Sequence, residues 1–368
     1  MNSWSLKGAL QKAKDIIVGP IIAIALALLL AGILIYFSGY EPLAAYGALF
    51  KGSVGNINSL AVTGVRMTPL LLGGLAVAMS FSCGVSNIGI EGQLYLGAVG
   101  ATIVGLMPLP VPQWLHLLLV LAAGFVFGAL WATVPGYLYA YKGVNEVVLT
   151  LMLNYVAIYL VSYLTNTVYG PLGEKGASYS QSPELVSTAR LPILLKGSSL
   201  HVGLLVGIVL AIALYIFMNH TSSGFRLRMV GFNPHAAEYA GIPMERTRMQ
   251  IMLLSGGLAG IAGASEVAGL FHRLYANFSP GYGFDAIAVS LLAGNNPLAV
   301  ILSSAFYGAL RAGATRMQQV IGIEVSIVFI IQAFTILFVT AGTVLSHRPS
   351  VIKKLFRFSK KSPAEGRG

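Results

Sequence analysis

Long apolar stretches, separated by short polar or basic segments, recur along the whole chain. A run of about 20 apolar residues is long enough to cross the hydrocarbon core of a bilayer as an α-helix. The pattern therefore predicts a series of membrane-spanning helices, at 16–36, 60–81, 88–107, 114–139, 147–164, 202–218, 249–270 and 320–345.

The pattern is broken towards the carboxyl end of the chain. Residues 286–293 are too few to cross a bilayer alone, and the turn formers Gly294-Asn295-Asn296-Pro297 follow them before apolar residues resume at 298–310. A broken helix of this kind is tolerated in a membrane only where neighbouring protein or water satisfies its backbone. We expect an all-α polytopic membrane protein with about ten transmembrane or partly spanning helices.

Composition agrees with this fold class. Apolar residues make up 56% of the chain and charged residues 10%, and the mean hydropathy is +0.78, which excludes an ordinary soluble domain. The net charge of +11 does not indicate nucleic acid binding, because the basic residues lie mainly between the apolar spans. The single cysteine, Cys83, and the lack of a Cys/His cluster exclude a disulfide framework and a structural metal site.

Basic residues also predict the orientation. Cytoplasmic placement of residues 1–15, Lys142, the loop 220–248 and the tail 346–368 puts 15 of the 23 Lys and Arg residues on that side, as the positive-inside rule requires. Both termini are then cytoplasmic, and residues 16–345 form the transmembrane domain. The segment 168–199, rich in Gly and Pro, is predicted to be an external loop of turns with a short surface helix.

An ionisable residue, Glu91, lies among glycines within one apolar stretch, in the run Ser-Asn-Ile-Gly-Ile-Glu-Gly-Gln from Ser86 to Gln93. A carboxylate in a membrane is costly unless it faces protein, a partner charge or a water-filled path. We hypothesise that this segment lines a transport route. The alternative is that the glycines serve close helix packing and that the acid makes one buried hydrogen bond.

Two segments resemble each other. Arg66-Met67 precedes Leu71-Leu72-Gly73-Gly74-Leu75-Ala76, and Arg248-Met249 precedes Leu254-Ser255-Gly256-Gly257-Leu258-Ala259. With opposite directions of entry, they would be an inverted repeat with a pathway between its halves; chance similarity between Leu, Gly and Ala-rich helices is the alternative. The spacings Gly124 to Gly128 and Gly256 to Gly260 predict close helix packing.

The loop 220–248 contains one short helix with clear ends. Asn233 suits the N-cap, Pro234 suits the first helical position, and Gly241 suits a left-handed C-terminal cap. The helix, with its caps, comprises Asn233, Pro234, His235, Ala236, Ala237, Glu238, Tyr239, Ala240 and Gly241. Its slim alanine face suits insertion into a cleft of another protein, whereas a turn whose flanking arginines contact membrane lipid phosphates is the alternative.

Several of these motifs together resemble a known family. The run at 86–93, Gly-Val-Asn-Glu-Val-Val from Gly143, Leu-Met-Leu-Asn-Tyr from Leu151 and Ala-Ala-x-Tyr-Ala-Gly-Ile from Ala236 are similar to the permease subunits of bacterial ABC importers. The resemblance covers about residues 17–345 and is greatest to the branch for ribose-type sugars, branched-chain amino acids and nucleosides. Within that branch the chain resembles nucleoside permeases that work with basic-membrane-protein-type lipoproteins.

This resemblance implies a transport subunit of the bacterial plasma membrane with three protein partners: a second homologous permease, an ABC ATPase subunit and an extracytoplasmic substrate-binding lipoprotein. The sequence has no Gly-x-x-x-x-Gly-Lys-Ser/Thr motif, so we expect this non-catalytic chain to bind no cofactor and the partner ATPase to use ATP and magnesium. The helix at 233–241 then matches the coupling helix. Nucleosides are the expected solutes, and simple sugars such as ribose are the alternative.

Polar residues within the apolar spans are the candidates for a solute pathway, together with two tyrosines able to stack on a base or sugar. They are Asn87, Glu91, Gln93, Tyr95, Asn145, Glu146, Asn154, Tyr155, Glu266, Asn295 and Asn296. For Glu266, contact with a docked binding protein and pairing within a loop are the alternatives. For Glu146 an ion pair with Lys142 is an equal alternative. Asn295 and Asn296 equally suit the satisfaction of broken-helix backbone groups.

Two other classes of membrane protein are alternatives to an ABC permease. An ion-coupled secondary carrier would also be polytopic and broken-helical, but it would not need a helix shaped for a partner. A membrane enzyme would need a catalytic constellation, and no Ser/His/Asp set, metal site or paired carboxylates stand out in the sequence.

The predicted orientation can be tested with single cysteines at Ser178 and Ser222 in a Cys83-free background. Since the Lys and Arg asymmetry places 168–199 outside and 220–248 inside, a membrane-impermeant thiol reagent added to intact cells should label position 178 only. Labelling at 222 without labelling at 178 would reverse the topology. Permeabilised cells, in which both positions should react, provide the control.

Overall fold

The computed structural model describes residues 25–26, 28–324, 329–330, 333–334 and 337–338. The chain divides into two compact units, one drawn from Met1–Ala48 and Arg316–Gly368 and the other comprising Leu49–Thr315. Every site residue predicted from the sequence lies in the second unit. The predicted amino-terminal segment 1–15, most of the spans 16–36 and 320–345, and the tail 346–368 lie outside the described residues.

The described residues form an all-helical fold, as predicted. Two isolated bridges, Gln181 with Tyr275 and Ile193 with His201, are their only β-type pairings. Six helices, α3, α5, α6, α7, α10 with its π-helical extension, and α12, are long and apolar enough to cross a membrane. The helices are α1 (Leu28–Phe37), α2 (Pro42–Ser53), α3 (Ile57–Ser82), α4 (Ile90–Gly105), α5 (Gln113–Lys142), α6 (Glu146–Leu164), α7 (Gly203–His220), α8 (Ser222–Phe232), α9 (Pro234–Tyr239), α10 (Met244–Glu266), α11 (Tyr282–Leu292) and α12 (Pro297–Ile321).

Helices α3, α5, α6, α7 and α10 agree with the spans predicted at the same positions. Helix α4 lies where a span was predicted, but its 16 residues are fewer than those of the six helices above. The prediction for the last part was wrong in one respect, because α12 continues through Arg311 to Ile321 and does not end near Leu310. Polar residues made the apolar run look interrupted, but Arg311 is paired with Asp285 and can remain in the helix. Helices α2 and α8 were not predicted, since neither has a long apolar run.

Glycines bring α10 into backbone contact with α4 and α5. A Cβ at Gly260 would collide with the carbonyl oxygen of Gly124 on α5, and one at Gly97 on α4 would collide with Gly260 itself. Gly128 and Gly256 meet in the same way one turn along the α5–α10 interface. Small residues permit this close approach, and the resulting van der Waals contact is the main force that packs helices in lipid. The predicted packing role of these spacings is confirmed.

Helices α11 and α12 are separated by the predicted turn. Gly294 and Asn295 both have left-handed backbone conformations, with φ of 58°. The Oδ1 atom of Asn295 accepts a hydrogen bond from Ser290 Oγ at 2.9 Å, and Asn296 Oδ1 accepts one from the Leu298 N–H at 3.0 Å, which caps the start of α12. Both asparagine side chains thus satisfy hydrogen-bonding groups at the break between the two helices. This is the role that was given above as the alternative to lining a solute pathway.

The segment 165–202 packs against the end of α10. The N–H groups of Leu185 and Leu191 donate to the carbonyls of His272 and Ala268, each at 2.8 Å. The short helix expected here is a single 3₁₀ turn, Ser187–Ala189, and Ala189 is buried. Ser187 is exposed and only Ala189 faces protein, so the turn lies at the surface as predicted, and its external placement stays a prediction.

Helix α8 packs tightly against the turn after α3. Gly84 has a left-handed conformation with φ of 73°, and a Cβ placed on it would lie 2.7 Å from the Cα of Gly231 near the end of α8. The preceding residue, Cys83, is fully buried. The backbone of α8 is therefore in direct contact with the turn that leads into the segment 86–93.

Candidate functional site

The segment 86–93 forms a short irregular turn and the first residues of α4, and Asn87 organises it. Asn87 Nδ2 donates to Gln93 Oε1 at 3.0 Å and to Ser255 Oγ on α10 at 2.9 Å. Its Oδ1 accepts from the N–H of Gly89 at 3.0 Å and from Gln93 Nε2 at 3.1 Å. Asn87 and Gln93 are buried. Asn87 thus satisfies the buried N–H of Gly89, and Gln93 bonds to both ends of the Asn87 amide and fixes its orientation.

Asn154 anchors the same turn from α6. Its Nδ2 donates to the carbonyl of Ile88 at 2.9 Å, and its Oδ1 accepts from the N–H of Gly92 at 2.8 Å. Gly92 lies in the first turn of α4, where N–H groups have no partner within the helix. The amide of Asn154 therefore replaces a missing helical hydrogen bond.

The carboxylate of Glu91 lies at the junction of α4 and α11. Glu91 is buried, and its Oε2 accepts a hydrogen bond from the backbone N–H of Gly283 in the first turn of α11. An acid near a helix N-terminus also interacts favourably with the helix dipole. The single buried hydrogen bond of the alternative interpretation is thus present, and the pathway role of Glu91 stays a prediction.

The two candidate tyrosines occupy different environments. Tyr95 on α4 is buried, and its ring packs on that of Phe278 with centroids 4.7 Å apart. Tyr155 on α6 is 55% exposed, on a face where lipid or another protein subunit could contact it. The structure therefore brings Tyr95 close to the buried turn and leaves Tyr155 on the surface of the chain.

Asn145 and Glu146 lie at the start of α6. Asn145 Oδ1 accepts from the Val148 N–H at 3.2 Å and so caps the helix. Glu146 makes no ion pair with Lys142, both residues being described. Thr150, one turn further along α6, receives the Ile88 N–H at 3.3 Å, so this end of α6 borders the segment 86–93.

Arg66, Tyr282, Asp285 and Arg311 lie together in what we call the central polar cluster. The sequence did not predict this grouping. Arg66 on α3 donates to Tyr282 Oη on α11 at 3.0 Å. Arg311 on α12 pairs with Asp285 on α11 at 2.6 Å, and its guanidinium lies over the Tyr282 ring, 4.9 Å from the centroid. Arg66 and Arg311 interrupt apolar stretches, and that interruption was the available signal.

Glu266 belongs to this cluster but is not paired. It is fully buried at the end of α10, and neither carboxylate oxygen has a hydrogen-bond partner among the described residues. Immediately after it, Val267–Phe271 form a π-helical turn, a geometry that is frequent at functional sites. A buried carboxylate with two unused acceptors is suited to accept hydrogen bonds from a hydroxyl-rich ligand or from water.

Two histidines flank the π-helical turn outside the predicted spans. His201 is buried, and its Nδ1 accepts from the Gly203 N–H at 3.2 Å. Burial lowers the pKa of His201 to about 4, so that its ring is neutral at physiological pH. Burial also lowers the pKa of His272, and the neighbouring Arg190 acts in the same direction. Among the described residues, no three His, Cys, Asp or Glu side chains form a possible metal site.

The capped helix in the loop 220–248 is present as α9. Asn233 Oδ1 accepts from the Ala236 N–H at 3.1 Å, Pro234 is the first helical residue, and Gly241 has φ of 77°. Ala237 is fully buried, whereas Tyr239 is 95% exposed. The helix therefore rests on its own chain through Ala237 and presents Tyr239, and its partner-binding role remains a prediction.

Residues 59–341 match the family described as branched-chain amino acid transport system / permease component. A guanosine ABC transporter permease of Bacillus subtilis is 37% identical over 91% of this chain and 96% of its own length. A glucose ABC transporter permease of Haloferax volcanii is 36% identical, over 87% of this chain and 86% of its own. A nucleoside ABC transporter permease of Lactococcus lactis is 31% identical, over 91% and 93%. No solved structure matches the chain.

The role of Glu91 can be separated from its packing contact with two substitutions. In Glu91→Gln an amide oxygen can still accept from the Gly283 N–H, so we expect normal abundance. Loss of a charged hydrogen-bonding group from the pathway should lower nucleoside uptake per folded molecule about tenfold. Glu91→Leu leaves that buried N–H unsatisfied, which should destabilise the fold by about 1–3 kcal/mol. Unchanged uptake per folded molecule in both variants would contradict the pathway role.

Proposed function

The chain belongs to the family of branched-chain amino acid transport system / permease components, and on that premise we propose that it is the membrane-spanning subunit of an ATP-driven importer for nucleosides. ABC permeases are transport components, so the chain itself is not expected to catalyse a reaction. The observation that carries the proposal is helix α9, a short capped helix with one buried alanine and a fully presented tyrosine.

Helix α9 is suited to transmit force because it is held at both ends. It follows α8 after one residue, Asn233, and precedes α10 after a turn at Gly241. Helix α10 in turn contacts α4 and α5 through backbone at its glycines. A partner ATPase that binds α9 would therefore displace α8 and α10 as rigid bodies, using its own ATP and magnesium.

The proposed solute path runs beside the segment 86–93. Its candidate residues are Asn87, Glu91, Gln93, Tyr95, Asn145, Glu146, Asn154, Tyr155, Glu266, Asn295 and Asn296. The hydrogen bonds of Asn87 and Asn154 to backbone support a role in shaping the wall. Glu266, with both oxygens unpartnered among described residues, is better suited to receive solute hydroxyl groups.

Nucleosides are favoured as solutes because two of the three relatives are named for guanosine or nucleosides. Ribose carries adjacent hydroxyl groups, which carboxylates recognise in other nucleotide sites. Sugars share that chemistry, and the relative named for glucose keeps a simple sugar as the second candidate.

The remaining partners complete the proposed importer. Bacillus subtilis and Lactococcus lactis each have a second guanosine or nucleoside permease that also resembles this chain, which favours pairing with a second permease. The exposed face of α6, including Tyr155, is available for such a partner or for lipid. A substrate-binding lipoprotein would deliver the solute on the external side, with both termini of this chain in the cytoplasm of a bacterial cell.

Deletion of the gene tests the substrate. We expect uptake of labelled guanosine to fall to background and to return when the intact gene is restored. Unlabelled nucleosides should compete at concentrations where glucose and ribose do not, because a base and a ribose together offer more contacts than a sugar alone. Stronger competition by glucose or ribose than by nucleosides would favour the sugar importer.

Substitution of Tyr239 tests the coupling role. A bulky substitution at Ala237 would not test docking alone, because Ala237 is buried within the chain. Tyr239→Ala leaves the caps of α9 intact and removes a 95% exposed ring. A lost interface aromatic often costs about 2 kcal/mol or more, so ATPase copurification should fall at least about tenfold, and uptake with it.

Tyr179→Ala is the matched control, because Tyr179 is 76% exposed in the loop predicted to be external. It should leave ATPase copurification unchanged. Normal ATPase association and uptake in the Tyr239→Ala variant would argue against α9 as the coupling element. Uptake that persists without any ATPase would instead favour an ion-coupled carrier.

A further inference from the structure

A cavity of about 440 Å³ lies beside α8, away from the central polar cluster. Four parts of the chain line it: the end of α3, the end of α7, helix α8 and the turn between α11 and α12. Its lining residues are Ser82, Tyr215, Met218, Asn219, Arg228, Phe232, Gly294, Asn295, Asn296 and Pro297. The volume is within the range of small-molecule sites.

The amide oxygens of the three asparagines that line this cavity are already engaged. Asn219 Oδ1 accepts from Arg228 Nη1 at 3.0 Å. The Oδ1 atoms of Asn295 and Asn296 accept from Ser290 Oγ and from the Leu298 N–H. A ligand that mainly donates hydrogen bonds would therefore find few acceptor side chains among the described residues.

By contrast, two side chains that line the cavity still have hydrogen-bond donors available. Arg228 bonds to Asn219 through Nη1, and its Nε is closed off by protein, so Nη2 is the donor that it can offer to a ligand in the cavity. With its Oδ1 fixed by the Leu298 N–H, Asn296 keeps its Nδ2 group as a further donor. A ligand with acceptor oxygens would therefore gain hydrogen bonds from these two side chains.

Charge favours the same kind of ligand. Arg228 is a cation, and the ten lining residues include no carboxylate. The N-terminus of α12 at Pro297 also borders the cavity, and helix N-termini favour anions. Arginine binds phosphate oxygens through its planar fork of N–H groups. Tyr215, Met218 and Phe232 offer apolar surface for the organic part of such a ligand.

We propose that this cavity binds a phosphate ester, held between Arg228 on α8 and Asn296 at the start of α12. The ligand is either a soluble phosphomonoester or the headgroup of an anionic phospholipid, and both supply the same oxygens. A bound ester would join α8, and through Asn233 the coupling loop, to the α11–α12 turn. This site goes beyond the proposed function, and its test measures binding without transport.

The test uses the full-length chain purified in a maltoside detergent, which contains no phosphate. In one arm, labelled adenosine 5′-monophosphate is titrated and inorganic phosphate is added as competitor. In the other arm, native mass spectrometry records retention of added phosphatidylglycerol. We expect saturable one-to-one binding in at least one arm, and the arm that shows it identifies the source of the ester.

Three variants locate the site. Arg228→Gln should weaken binding at least about tenfold, as expected for loss of a charge-assisted pair. Asn296→Asp keeps an oxygen that can cap α12 but replaces the free donor with a negative charge, and should abolish binding. Arg226→Gln is the matched control, because Arg226 lies on α8, bonds to Ser223 and does not line the cavity; its affinity should stay within about twofold.

Thermal unfolding of each variant confirms that it is folded, and Asn296→Asp supplies a second probe if Arg228→Gln is unstable. The proposal is overturned if the wild-type chain binds neither compound. It is equally overturned if folded Arg228→Gln and Asn296→Asp bind like the wild type, or if Arg226→Gln loses as much affinity as Arg228→Gln.

Discussion

The fold depends on direct contact between the backbone atoms of α10 and those of α4 and α5, with no side chain between them. Lipid tails are as apolar as leucine, so helices in a bilayer gain little from burying apolar side chains and must gain from close packing. Gly97, Gly124, Gly128, Gly256 and Gly260 allow that packing at one crossing. Because α10 is fixed there, Ser255 reaches Asn87 on one side and Glu266 is held within the central polar cluster on the other.

Buried polar groups in this protein fall into two kinds. The amides of Asn87, Gln93 and Asn154 bond to one another or to backbone, and they hold an irregular turn where an unsatisfied group would be costly. Glu266 and the Nε of Arg228 keep unused bonding capacity within the described residues. The first kind explains why the turn is stable. The second kind is costly while these atoms stay enclosed, so Glu266 and Arg228 gain hydrogen bonds whenever water or a ligand reaches them.

Local signals in the sequence were sufficient for the elements with local causes. The caps Asn233 and Gly241, the turn at Gly294 and the long apolar spans depend on neighbours a few residues away, and each was predicted. Partners distant in sequence were not predictable in this way. Asn87 bonds to Ser255, 168 residues away, and Arg311 pairs with Asp285 across the α11–α12 turn. The burial of Ala237 likewise depends on tertiary packing, which a helical pattern cannot convey.

The contact of Gly84 with Gly231 also covers the residue before Gly84, which carries the only thiol of the chain. Cys83 is fully buried beneath α8, and reagents can reach it only during transient local opening. The rate at which Cys83 is alkylated therefore reports how often the packing around this turn, including its contact with α8, opens. The unmodified protein thus contains its own kinetic reporter of motion in the loop that leads to α9, without any introduced probe.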